Sequence, residues 1–159
     1  MPSLPTTSEP LQLVEVTPET LYEYWPFIRR GLDVIHSKLK TDWFPEEQFA
    51  AFRTGTHKFL VARRGNRLLG FAGYYRELRI FTLKPRLFVW ALWFLPLRER
   101  QLTDNFHEVF WTGLRYLSEV ATRQYGTHVI AWITTDKRRR GYERKYGFKP
   151  TCSTFEIEV

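Results

Sequence analysis

The chain has 159 residues, 17% of them aromatic, with 24 Lys and Arg against 17 Asp and Glu and a formal net charge of +7. That length suits one domain with a sizeable aromatic core, and a single cysteine, Cys152, excludes an intrachain disulfide and a cysteine-based zinc site. The positive balance favours acidic ligands such as phosphates without specifying nucleic acid, and the cysteine usage fits a reducing, cytoplasmic setting.

Residues 1–10 hold Pro2, Pro5 and Pro10 and read as a flexible arm. They have neither the basic start nor the apolar run of a signal peptide. Residues 11–159 are expected to form one domain. Residues 11–16 predict a first strand. Thr17-Pro18-Glu19 predicts a helix start, with Thr17 as N-cap and Pro18 at the first helical position. Leu21, Trp25, Ile28 and Leu32 keep helical spacing, and Pro26 marks a kink or a break. Residues 44–52 predict a second, short helix. Residues 58–62 and 67–75 are rich in strand formers, and Gly65-Asn66 between them favours a tight hairpin turn. Gly70 and Gly73 point to a bulge or a close backbone approach. Residues 76–86 read as a basic, proline-containing connection.

The apolar run 87–95 predicts a buried strand. The window around it, 80–97, contains Lys84, Pro85 and Arg86 and is too short and too charged to span a membrane. Phe106, Val109, Phe110, Gly113, Leu114, Leu117, Val120 and Ala121 recur at helical intervals, so residues 103–125 are expected to form one helix. Thr103 or Asn105 caps it; Asn105 and Glu108 have capping-box spacing. Gly126 stands where a helix end favours glycine. Residues 129–133 predict another strand and 136–148 a short basic helix. Phe155, Ile157 and Val159 alternate as in a final strand with one buried face.

The resulting order, β-α-α-β-β-β-α-β-α-β over residues 11–159, resembles the GCN5-related N-acetyltransferase (GNAT) fold. That is an α/β (α+β) single-domain fold, a mixed twisted sheet flanked by helices. The segment 59–73, with Gly65 in its turn and Leu69-Gly70-Phe71 after it, is similar to the family's central hairpin. Residues 136–148, closing on Gly147-Phe148, are similar to its last helix. Gly147-Phe148-Lys149-Pro150 and a short final strand most resemble short phage-encoded members. The resemblance implies transfer of acetyl from acetyl-CoA to an amine of a small molecule or protein. It implies no metal and no membrane, and a cytoplasmic location, in the host if a phage encodes the chain. It places carrier contacts at Phe94, Leu95 and Leu97, and in the following loop at Arg98, Arg100, Gln101, Leu102, Thr103 and Asn105. It adds Asp136 and Arg139 from the last helix. Tyr142 would stand for the tyrosine that protonates the departing thiolate, if the helix has one extra residue; a gapless match puts Glu143 there.

The family's pyrophosphate loop reads Arg/Gln-x-x-Gly-x-Gly/Ala, and its glycines let backbone N–H groups approach the phosphates at a helix N-terminus. Here the frame from Arg100 puts Thr103 and Asn105 at the glycine positions. Asp104 between them is expected to repel a pyrophosphate, with Arg98 and Arg100 as partial compensation. The glycine-free loop favours an alternative: a non-catalytic protein of the same fold that binds a protein or nucleic acid. Lys137-Arg138-Arg139-Arg140, with Arg144, Lys145 and Lys149, fits an adenosine phosphate, a nucleic-acid backbone or a solvated helix face. No nucleic-acid module accompanies the run. For a general base, Asp42, Glu47, His107, Glu108 and His128 are open candidates, and no spacing selects among them.

Overall fold

A computed structural model describes residues 9–79, 81–101, 104–132, 144, 145 and 147. The described helices are α1 (Leu21–Leu39), α2 (Pro45–Arg53) and α3 (Phe106–Gln124). The described strands are β1 (Leu11–Glu15), β2 (Lys58–Arg64), β3 (Arg67–Leu78), β4 (Pro85–Phe94) and β5 (Ile130–Trp132). They form one mixed sheet in sequence order. β1 to β4 are antiparallel neighbours, and β5 runs parallel to β4. A parallel neighbour needs a crossover, and α3 supplies it. α1 and α2 pack on one face of the sheet and α3 on the other, which is the fold expected from the element order. Residues 1–8 of the expected arm lie outside the described residues. So do the expected last helix and final strand, apart from Arg144, Lys145 and Gly147.

Several boundaries differ from the sequence reading; the helix expected over 103–125, for one, spans Phe106–Gln124 because Asn105 caps it. α1 begins at Leu21 because Thr17 and Thr20 first bond each other. The Thr17 N–H donates to Thr20 Oγ1 at 2.9 Å and the Thr20 N–H to the Thr17 carbonyl at 3.1 Å, closing a turn ahead of the helix. α1 then runs through Pro26 unbroken. β3 and β4 extend into the segment expected as a connection, pairing Arg76 with Leu87, Glu77 with Arg86 and Leu78 with Pro85. An ion pair between Glu77 and Arg86, and the Arg86 guanidinium over the Phe88 ring, hold this end of the ladder together.

Alternation along β2 gives Phe59 and Val61 to the core under α1 and α2, and Leu60 and Ala62 to the side of α3. A regular β4 would put residues 87, 89, 91 and 93 on one face. Instead Leu87 and Val89 pack with α3, whereas Ala91 and Trp93 pack with α1. The cause is a register shift in which Gly73 pairs with Ala91 but Tyr74 pairs with Val89, leaving Trp90 as an extra residue. One inserted residue turns over every side chain beyond it. Gly73 makes the insertion fit, since a Cβ there would lie 2.7 Å from the Trp90 ring. Gly70 marks a second close approach, with the Trp93 carbonyl oxygen 2.6 Å from where its Cβ would be. The two glycines thus do what the sequence pattern led us to expect of them.

Two helical glycines make opposite predictions. At Gly31, α1 is pressed so close to the sheet that a Cβ would stand 2.7 Å from Trp93 Cδ2. Gly31→Ala should therefore cost about 1–3 kcal/mol by overpacking, outweighing a helix-propensity gain of about 1 kcal/mol. At Gly113 a Cβ would meet nothing within 4 Å, so Gly113→Ala should stabilise by roughly 0.5–1 kcal/mol. Urea denaturation of both variants reads the two signs; equal shifts in the same direction would contradict this packing.

Candidate functional site

Among the described residues, β4–β5 pairing ends at Val89 with Trp132. Just beyond it the bulge turns β4 over, and Leu92 and Phe94 line the α3 side. An apolar cavity of about 60 Å³ lies there, walled by Phe94 of β4, by Phe106, Val109, Phe110 and Gly113 of α3, and by Trp132 of β5.

The chain leaves β4 at Leu95, whose N–H donates to the Leu69 carbonyl at 2.8 Å. It then makes a single 3-10 turn, Leu97–Glu99. Leu97 is 80% exposed, and Arg98 is exposed beside it. Glu99 pairs with Arg30 of α1. Arg100 folds back on the strand end: its guanidinium sits 4.2 Å from the Phe94 ring centroid and its Nε donates to the Leu95 carbonyl. Gln101 and Asn105 complete the predicted carrier residues that the structure describes; Leu102, Thr103, Asp136, Arg139 and Tyr142 lie outside the described residues.

The loop bonds mostly to itself. The N–H groups of Glu99, Arg100 and Asp104 donate to the carbonyls of Pro96, Leu97 and Gln101 at 2.9, 3.2 and 3.0 Å. The Gln101 N–H donates to Asp104 Oδ2 at 2.9 Å. At the start of α3, Asn105 caps the helix by accepting the His107 N–H at 2.9 Å. The first turn of a helix offers N–H groups without intrahelical acceptors, and at α3 that turn begins at Phe106.

Asp104 does not play the repulsive part expected of it. Its side chain is fully buried, and both terminal nitrogens of Arg67 hold the carboxylate, at 2.6 and 2.9 Å. Arg64 Nε lies 4.0 Å away. Burial alone would raise its pKa, but the hydrogen bonds from Arg67 and Gln101 and the charges of Arg67 and Arg64 outweigh burial and hold it below the ordinary carboxylate value. The charge is neutralised, and it ties the loop to the β2–β3 turn. Glu108, despite its capping-box spacing, pairs instead with Arg64 at 2.7 Å.

Of the other proposed bases, Glu47 and His128 make hydrogen-bond contacts, and His107, in the first turn of α3, is exposed. Glu47 accepts the Phe44 N–H at 2.9 Å and so caps α2. Asp42 is exposed. His128 Nδ1 lies 3.4 Å from Thr122 Oγ1 at the far end of α3. Sequence reasoning missed one further titratable group. His57, just before β2, packs against the rings of Tyr75 (4.9 Å, 18° between planes) and Trp90 (5.1 Å). Its Nδ1 is 2.8 Å from Oε1 of Gln48, a buried residue of α2. Burial pushes the imidazole pKa below its ordinary value. Trp43 packs edge-on against Trp90 from the other side, at 5.4 Å. No local pattern announces this cluster, because the fold assembles it from β2, β3, β4 and α2. Among the described residues no helix is long and apolar enough to cross a membrane, and no group of three His, Cys, Asp or Glu is placed to hold a metal ion.

Solved acetyltransferases share this architecture. A putative acetyl transferase from Pyrococcus furiosus superposes with a TM-score of 0.65 at 18% identity, covering 94% of this chain and 100% of that one. A predicted acetyltransferase with acetyl-CoA from Clostridium acetobutylicum gives 0.66 at 14% identity, covering 94% and 96%. An aminoglycoside N-acetyltransferase in complex with CoA gives 0.65 at 13% identity, covering 98% of both chains. No family model matches the sequence, and no curated protein does. The chain has the GNAT fold.

The Asp104 clamp makes a stability prediction. Asp104→Asn should destabilise by roughly 2–3 kcal/mol at pH 7, less than the ~3–5 kcal/mol of a fully buried broken pair because Arg67 is partly solvated. The folded pKa is depressed, so this stabilisation is present above the unfolded value of about 3.9 and is lost as pH falls through the lower folded value. Denaturation curves of both proteins from neutral to acid pH measure it. Equal stability at pH 7 would mean that the pair does not hold the loop.

Proposed function

We propose that the protein transfers an acetyl group from acetyl-CoA to an amine. The observation that carries this reading is the extent of the likeness. The fold of acetyltransferases, including ones with acetyl-CoA or CoA bound, covers 94–98% of the chain. On this reading, residues 11–159 are the catalytic domain. The backbone at Phe94, Leu95 and Leu97 takes the pantetheine arm, and the apolar cavity under α3 adjoins it. Arg98, Arg100, Gln101, Leu102, Thr103 and Asn105 surround the pyrophosphate, with the N–H groups of Asn105 and Phe106 at the positive end of α3. Asp136 and Arg139 contribute from the segment after β5, and Tyr142 protonates the leaving thiolate. The acceptor is an amine of a small molecule or a protein.

The loop itself favours a second reading. The N–H groups of Glu99, Arg100, Gln101 and Asp104 already have acceptors within it, so the phosphate cradle has fewer donors than a glycine-built loop presents. On that reading the protein is a non-catalytic member of the fold that binds a protein or nucleic acid.

Isothermal titration with acetyl-CoA separates the two. Binding is expected, and Arg98→Ala should weaken it about ten-fold, since a charge-assisted hydrogen bond contributes about 1.5–3 kcal/mol and ~1.4 kcal/mol is one decade. Arg100→Ala should weaken it less, because that guanidinium is already held by Phe94 and the Leu95 carbonyl. No heat of binding at about 1 mM acetyl-CoA, a regime worth about −4 kcal/mol, would favour the non-catalytic reading.

A further inference from the structure

We propose that His57 is the general base that takes the proton from the acceptor amine, with Gln48 as the residue that positions it. This rests on the acetyl-transfer reading and adds to it a group that the sequence did not single out.

Three observations converge on His57. The first is its tautomer. A carbonyl oxygen only accepts, so the contact between Gln48 Oε1 and His57 Nδ1 places the ring hydrogen on Nδ1. Nε2 is then left with its lone pair, the form a base requires. The second is its setting. Tyr75 stacks on the ring and Trp90 packs against it at a 33° tilt, and with the Gln48 contact they hold the imidazole in one orientation. Aromatic walls also suit an arriving ammonium group. The third is its place in the fold. Trp90 is the inserted residue of β4. It follows Val89, the last β4 residue paired with β5 among the described residues, and its side chain touches His57 on the side of α1 and α2. On this proposal the arm that passes Phe94 and Leu95 ends with its thioester at that point of β4, beside Trp90 and His57.

Five of the competing carboxylates are occupied, while Asp42, beside Trp43, is exposed to solvent. Glu47 caps α2, Glu77 pairs with Arg86, Glu99 with Arg30, Asp104 with Arg67 and Glu108 with Arg64. Of the groups packed against His57, Gln48 from α2 and Trp90 from β4 do not titrate. Tyr75 from β3 has its pKa raised, chiefly by burial, and stays neutral. The imidazole is thus free to act as a neutral base near pH 7.

In the step, Nε2 of His57 takes one proton from the acceptor ammonium and later releases it to solvent. The freed nitrogen lone pair attacks the thioester carbonyl carbon, forming the C–N bond. The C–S bond then breaks, and the second surplus proton on nitrogen passes to the departing sulfur, giving an amide and the coenzyme A thiol.

The test begins with calorimetry of acetyl-CoA binding to the full chain, followed by release of free thiol in the presence of spermidine, tyramine or glycinamide. The wild type should bind and release thiol with at least one of them. His57→Ala should bind acetyl-CoA with unchanged affinity and lose about 100-fold or more in kcat. Added imidazole should restore part of that rate by occupying the space that the His57 ring vacates beside Tyr75 and Trp90. Gln48→Glu keeps an acceptor at Nδ1 but adds a negative charge, so it should move the acid limb of the pH–rate profile to higher pH. A role limited to holding the fold would not move that limb. If the wild type turns over and His57→Ala does so at the same rate, or is slowed without any rescue by imidazole, His57 is not the base while acetyl transfer stands. An acid limb unmoved in Gln48→Glu overturns the positioning role. Failure of the wild type to bind acetyl-CoA, or binding without release with any of the three amines, overturns the acetyl-transfer reading itself, and the base with it.

Discussion

The insertion of Trp90 into β4 is the constraint from which the rest of the site follows. A strand in strict alternation supplies one row of side chains to one core. β4 supplies two: Leu87 and Val89 to the core under α3, then Ala91 and Trp93 to the core under α1. The missing side chain of Gly73 gives the indole its seat. Downstream of the switch, Leu92 and Phe94 turn toward α3 and line the apolar cavity. At the switch itself, the Trp90 ring lies on the other face and meets Trp43, His57 and Phe59. A single extra residue thus turns one stretch of the strand to the apolar cavity and sets an aromatic cluster on the other face.

The loop after β4 solves a second problem by unusual means. A glycine-built loop leaves its N–H groups pointing at a ligand; this one turns most of them inward. Asp104 organises it, accepting the Gln101 N–H from within and the Arg67 fork from the β2–β3 turn. The outcome is a loop tied to the β2–β3 turn as it approaches α3. If phosphate binds here, it meets charge and a helix terminus more than a glycine cradle.

Where local chemistry decided the structure, the sequence was readable. Gly65-Asn66 has only one economical use between two strand-forming runs, and the β2–β3 hairpin follows from it. The apolar stripe from Phe106 to Ala121 allows little but a helix on a sheet. Gly73 was legible as a bulge or a close contact, though which residue of which strand would be inserted was not. The extension of β3 and β4 past residue 75 was hidden because Arg76, Glu77, Leu78 and Arg86 break the apolar pattern; the stabilising pairs run across the strands rather than along them. The start of α1 slipped because two threonines compete for the same turn. Long-range partnerships were not legible at all. Asp104 looked repulsive beside a phosphate because nothing near it in sequence reveals that Arg67, 37 residues earlier, neutralises it. His57 escaped notice for the same reason, since Gln48, Tyr75 and Trp90 come from three different elements.

The central claim is that the β4 end and the start of α3 together form a carrier site despite the glycine-free loop. Hydrogen exchange of backbone amides, with and without acetyl-CoA, tests it most directly. The account predicts slower exchange at Asn105 and Phe106 and along residues 90–95 when acetyl-CoA is added. Exchange in the β3–β4 turn, residues 79–84, should not change. Protection confined to other parts of the chain, or none at saturating acetyl-CoA, would contradict it.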